Sequence, residues 1–172
     1  KRAGTPPALF SKTFFLMSKT QFLVIHCTAT PAGREVSSED IRHWHMDPAP
    51  KGRGWSQVGY TDLFHVNGGV ERLVSNNEDE NVDWWEITNG VAGKNSICRH
   101  IVYAGGMDAL NKKPFDSRSI MQKEAMRKYV IEFRRRNPGV KIVGHNYFDK
   151  GKACPSFDVQ VWLLGIGINQ VL

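Results

Sequence analysis

The stretch "GHNYFDKGKACPSFDV", residues 144–159, sets His145, Lys152 and Cys154 within ten residues of one another in a loop. Such a loop binds a metal, forms a redox site, or only turns a corner. Catalytic zinc takes three protein ligands from His, Cys or carboxylate and keeps a fourth position for water. The missing third ligand is on offer in "QFLVIHCTAT", residues 21–30, where His26 stands near the end of an apolar run. A thiolate and two neutral imidazoles leave Zn²⁺ formally +1, enough to polarise a water and lower its pKa to roughly 7. The ion would in turn hold Cys154 deprotonated. Lys152, two residues before the thiol, could present an ammonium to a developing oxyanion. A lone His at a strand end is more often structural than a ligand, so these residues alone leave all three roles of the loop open.

The two histidines converge only if the elements carrying them are neighbours. The run 21–30 reads as a buried strand ending near His26. "SSEDIRHWHM" opens on Ser37-x-x-Asp40, a capping signature, and reads as a helix. "APKGRGWSQVG" is a Gly/Pro loop. "YTDLFHV" and "VERLVS" flank Asn67-Gly68-Gly69 and predict a hairpin. "NNEDENVDWWE" is an acidic exposed loop or short helical insertion, and "SICRHIVYAGG" is another strand. Ser119-x-x-Gln122 opens a long helix whose Met126, Tyr129, Val130 and Phe133 follow the helical period. Arg134 to Arg136 suit the negative end of its dipole, and Asn137-Pro138-Gly139 stops it. "VKIVGH" is then a strand delivering His145, and "FDVQVWLL" a short closing helix. Strands interleaved with helices, plus a hairpin, predict a single α/β (α+β) domain with a central mixed β-sheet flanked by helices.

At 172 residues the chain fits one domain with a sizeable core. No apolar run approaches the roughly 20 residues of a membrane span. The formal net charge is +6, but residues 1–16 resemble a vector-derived or disordered leader, with "KRAGT" like a cloning scar and Met17 the expected start. Without that leader, 20 cations stand against 17 acids, too small an excess to imply a nucleic-acid partner. A signal peptide fits poorly, because the apolar part is short and broken by Ser11, Lys12 and Thr13. Three cysteines, Cys27, Cys98 and Cys154, make no disulfide framework.

"VIHCTAT", "GYTDLFHVNGG", "NSICRHIVYAGGMD" and "GHNYFDKGKACPSFDV" come in this order, and together they resemble the zinc-dependent N-acetylmuramoyl-L-alanine amidases of the type-2 family, which includes phage lysozyme-type amidases and peptidoglycan recognition proteins. The resemblance spans about residues 21–164. It implies an amidase-like fold over residues 17–172 and one Zn²⁺ per chain held by His26, His145 and Cys154. It implies that Tyr60 faces the water and the scissile carbonyl, and that Lys152 is the catalytic lysine. The implied reaction is hydrolysis of the amide between N-acetylmuramic acid and L-alanine. Partners would be peptidoglycan or muropeptides, with no nucleic acid, no membrane and a monomeric state. A phage endolysin fits, held in the cytoplasm of the producing cell and acting on the wall after release. In recycling amidases the third ligand is usually Asp, so Cys154 argues against that branch. A non-catalytic peptidoglycan-binding module is the alternative.

Other residues carry two readings. Asn95 contacts the substrate peptide or makes a turn. Trp84 and Trp85 stack on sugars or cover the core edge. His65 lines the cleft or is structural, and His100 is undecided between the same two. His43 and His45, at i and i+2 of a helix, read as solvated surface histidines. Asp158 orients a ligand or caps the last helix. Cys27, alternating with His26, faces the core. "CRH" at residues 98–100 departs from the smoother apolar strand of the family.

Overall fold

The computed structural model describes residues 18–172, so the leader expected over residues 1–16 and the start at Met17 lie outside the described residues. The chain runs β1 (Ser18–Lys19), β2 (Phe22–Cys27), α1 (Ser38–Met46), β3 (Asp62–Phe64), β4 (Val70–Arg72), β5 (Asn81–Val82), β6 (Cys98–Tyr103), α2 (Ile120–Arg136), β7 (Lys141–Gly144) and α3 (Val159–Gly165). Five strands form one mixed sheet in the order β4-β3-β6-β2-β7. The β3–β4 pair is antiparallel, and β3–β6, β6–β2 and β2–β7 are parallel. β1 and β5 make a separate antiparallel ribbon.

β2 is apolar without alternation because both its faces are covered. On one face Leu23, Ile25 and Cys27 join Phe64, Ile101, Tyr103 and Ile142 beneath Met126 and Val130 of α2 and Val159 and Leu163 of α3. On the other lie Val24 and His26, with Val102 and Leu63 continuing into a cluster around Ile41 of α1. Strand period 2 thus assigns His26 to the α1 side and Cys27 to the α2 side.

Both capping boxes read from the sequence form. Asp40 N–H donates to Ser37 Oγ at 3.1 Å while Ser37 N–H donates to Asp40 Oδ2 at 2.9 Å. Gln122 N–H donates to Ser119 Oγ at 3.0 Å, and Ser119 N–H returns to Gln122 Oε1 at 2.9 Å. Gln122 Nε2 also donates to the carbonyls of Phe64 and Ala104, tying α2 to the ends of β3 and β6. The hairpin turns at Gly68, whose φ of +85° suits glycine.

The acidic segment is a loop with β5 inside it, not a helix. Buried Arg99 of β6 anchors it: the guanidinium lies 3.4 Å from Glu86 Oε2 and donates to the carbonyls of Asp79 and Asn81. Glu86 in turn accepts the N–H groups of Asn77 and Asp83. Arg99, one of the two polar residues in the middle of β6, is therefore a loop anchor. Asp158 resolves to the capping role, its Oδ1 accepting from Gln160 N and Val161 N at 2.9 and 3.0 Å.

Candidate metal centre and cavity

β2 and β7 are parallel neighbours with Ile25 beside Gly144, so the residues that follow, His26 and His145, emerge side by side. Their ring centroids are 4.7 Å apart. A 3-10 turn, His145–Tyr147, breaks the strand direction after β7. The following loop is fastened at several points. Asn146 N–H donates to the Cys154 carbonyl at 2.9 Å, Tyr103 Oη to the Pro155 carbonyl at 2.6 Å, and Cys27 N–H to Cys154 Sγ at 3.3 Å. These bonds bring Cys154 Sγ to 3.8 Å from His26 Nδ1. One ligand atom from each of His26, His145 and Cys154 lies within 4.8 Å of the others.

That arrangement fits a zinc ion. Bonds of about 2.0–2.3 Å at tetrahedral angles put ligand atoms about 3.3–3.6 Å apart, so a slight closing of the three completes the set. Imidazole must be neutral to ligate. Burial, with His100 and His145 alongside, holds His26 well below the usual histidine range. Burial and the Lys152 charge lower His145 as well. The adjacent Cys27 thiol and burial push the Cys154 thiol up, so it is the cation that would make it a thiolate. Two nitrogens and a sulfur are a donor set suited to zinc.

A cavity of about 740 Å³ opens beside these three residues, lined by His145, Tyr60, Lys152 and Asn95 among others. The Tyr60 ring lies 5.1 Å from that of His26, and burial raises its phenol, so it stays a proton donor. Lys152 is half-exposed, its Nζ 4.0 Å from Asp149 Oδ2. Asn95 Oδ1 accepts from Val91 N–H at 2.8 Å, so it shapes the turn while lining the cavity. Trp84 and His65 are not among the lining residues. Trp84 is 63% exposed, and the His65 ring lies between Glu35 at 3.6 Å and Glu71 at 3.0 Å beside the hairpin.

His45 corrects the expectation of a surface histidine. His43 is exposed and bonded to Asp47, but His45 is buried, four residues after core Ile41 on the same helix face. Its Nδ1 accepts the Gly59 N–H at 3.1 Å. Burial, then the Arg53 charge, lower it to about 4, so the neutral ring carries its proton on Nε2. The Gly/Pro loop after α1 folds back on the helix, with Arg53 N donating to Trp44 O and Trp55 N to His45 O. It stacks Trp55 on His45 at 4.9 Å and Arg53 on Trp55 at 5.1 Å. Reading the sequence missed His45, Arg53, Trp55 and Lys94 as lining residues. The i, i+4 spacing of His45 from Ile41 was the available signal for the first.

No protein-family model matches the chain. The endolysin of Enterobacteria phage K11 is 31% identical over 150 residues, covering 87% of this chain and 89% of that protein. Among solved structures, the Ph2119 endolysin from the Thermus scotoductus MAT2119 bacteriophage Ph2119 superposes with a TM-score of 0.64 at 20% identity, over 91% of this chain and 92% of that one. The N-acetylmuramoyl-L-alanine amidase LysC from Clostridium intestinale URNW gives 0.62 at 14% identity, over 88% of each. The structural matches establish the fold, and with the sequence match to the K11 protein the chain belongs to the phage endolysin family.

Proposed function

We propose that the chain is a zinc-dependent N-acetylmuramoyl-L-alanine amidase, with residues 17–172 its catalytic domain. It would cut the amide between N-acetylmuramic acid and L-alanine once released from the producing cell. One observation carries the reading: a His₂Cys ligand set within 4.8 Å stands at a cavity lined by Tyr60 and Lys152. A non-catalytic binding module needs the cavity but neither the Cys154 thiol nor Lys152.

The chemistry supplied by zinc, when held by His26, His145 and Cys154, is Lewis-acid polarisation of the scissile carbonyl and activation of water. The protein's own groups do the rest. The Tyr60 phenol donates a hydrogen bond that orients the water or the substrate carbonyl. The Lys152 ammonium stabilises charge developing on the carbonyl oxygen. His45 offers a neutral Nε2–H donor in the cavity wall. Arg53, Lys94 and Lys152 against the single carboxylate of Asp149 make the cavity attractive to an anionic peptide. Trp55 and Phe148 supply apolar wall, and the volume is in the usual range for small-molecule sites.

The test joins metal to activity. Bound zinc is quantified in the purified protein, and peptidoglycan is assayed for newly exposed L-alanine amino groups, with Cys154→Ser alongside. One equivalent of zinc, and amine release lost in the variant, is the expected result. Stoichiometric zinc without amine release would favour the binding module. No zinc and an unaffected variant would overturn the metal reading itself.

A further inference from the structure

His100 stands in the middle of β6, beside Val24 of β2, fully buried. It belongs neither to the ligand set nor to the cavity lining. Its Nδ1 lies 3.1 Å from Nε2 of His26, and His26 turns its other nitrogen, Nδ1, towards Cys154. The His100 Nε2 has no hydrogen-bond partner among the described residues. Gly90 closes over the ring: a Cβ there would come within 2.3 Å of His100 Nδ1, so only glycine lets the backbone lie on the imidazole.

A hydrogen bond between two neutral imidazoles needs one bare nitrogen and one N–H. If His26 Nδ1 gives its lone pair to a metal, the His26 proton must sit on Nε2. His100 Nδ1 must then be bare to accept it, and the His100 proton goes to its own Nε2, the orphaned atom. In the opposite arrangement His100 Nδ1–H donates to His26 Nε2, and the His26 proton occupies Nδ1, where it blocks the metal. The partner on the second nitrogen selects which nitrogen ligates.

We propose that His100 is a positioning residue, the hydrogen-bond acceptor that commits His26 to the tautomer in which Nδ1 is free for the metal. The proposal rests on the metal reading given above. It accounts for a polar histidine in a strand that otherwise packs apolar residues on this face. It also accounts for the unpartnered buried nitrogen, since the donor is forced onto Nε2 by the demand at Nδ1. A buried unpaired polar group is destabilising, and a role purely in packing would be served better by an apolar side chain.

The test measures zinc affinity by chelator competition in the wild-type protein, His100→Leu and His100→Asn, with circular dichroism to verify the fold. Asn restores a short acceptor near the Nδ1 position, and Leu fills space without one. Leu is expected to weaken zinc binding about 10–100-fold, the range for lost outer-shell partners, while Asn stays within about threefold of wild type. A folded Leu variant binding zinc like wild type would overturn the proposal and leave the metal reading standing. A wild-type protein that takes up no zinc would overturn both. Long-range ¹H–¹⁵N NMR on the zinc-loaded wild type needs no variant. It should find His100 protonated on Nε2 and bare at Nδ1, and a proton on His100 Nδ1 would refute the assignment.

Discussion

At the residue scale, ligand and catalytic roles separate by experiment. Tyr60 lines the cavity but stands outside the His26, His145 and Cys154 set, so on the proposed reading Tyr60→Phe should keep one zinc per chain and an unchanged fold while amide hydrolysis falls about 10²–10³-fold, the range for losing one preorganised hydrogen-bond donor at the reacting carbonyl. Undiminished turnover would reduce Tyr60 to packing against His26 and His45. The buried histidines also set an acid limit on stability. His45 is lowered to about 4 in the fold, against about 6.5 in an unfolded chain. Between those values the unfolded chain binds more protons, so the contribution of a neutral His45 is fully present above about pH 6.5 and is lost as the pH falls towards 4. His26 and His100 are depressed by burial and act in the same direction. The urea midpoint of EDTA-treated protein should therefore drop between pH 7 and pH 5, and His45→Gln, which keeps an acceptor for Gly59 N–H, should flatten the drop. A midpoint independent of pH over that range would refute this account.

At the element scale, the loop anchor and the cap make contrasting predictions. Arg99 and Glu86 are both buried, with side-chain exposures of 7% and 3%. Removing one partner of such a pair typically costs about 3–5 kcal/mol, because the other charge stays buried. Glu86 keeps two backbone N–H donors, so Arg99→Leu should lie near the lower end, and limited proteolysis should cut first within residues 76–86. A variant as protease-resistant as wild type would mean the acidic loop is held by other contacts. Ser119→Ala should cost about 1 kcal/mol as a lost cap, with zinc affinity untouched, because α2 packs on the face of the sheet opposite His26. The sequence made these elements legible because each carries local chemistry: a Ser box at α1 and at α2, Asn-Gly-Gly at the hairpin, an unbroken apolar run at β2. The role of Arg99 was hidden, because its partner is thirteen residues away in a loop without periodicity. His45 was only partly legible: its spacing from Ile41 put it on the inner face of α1, but the Gly/Pro loop that folds back to cover it has no periodicity to read. His26, His145 and Cys154 were legible only as candidates, because what brings them together is strand adjacency, and that is a property of the sheet.

At the scale of the whole molecule, the candidate metal site would act as a clasp between parts distant in sequence. His26 is the penultimate residue of β2, His145 follows β7, and Cys154 sits on a loop held by β2 and β6 through Cys27 N–H and the Tyr103 hydroxyl. An unfolded chain offers these three donors no common position, so an ion that binds here binds the folded state alone. Its stabilisation then grows as RT ln(1 + [L]/Kd), about 4 kcal/mol at a thousandfold excess over Kd. Adding zinc to chelator-treated protein should raise the melting temperature by several degrees, in steps that track free zinc. Cys154→Ser should lose most of that response, whereas Ser119→Ala should start lower and keep it. The two variants together separate a general loss of stability from a loss of the clasp. If Cys154→Ser and the wild type rose equally with zinc, the ion would be binding elsewhere, and the convergence of β2 and β7 would owe nothing to a metal.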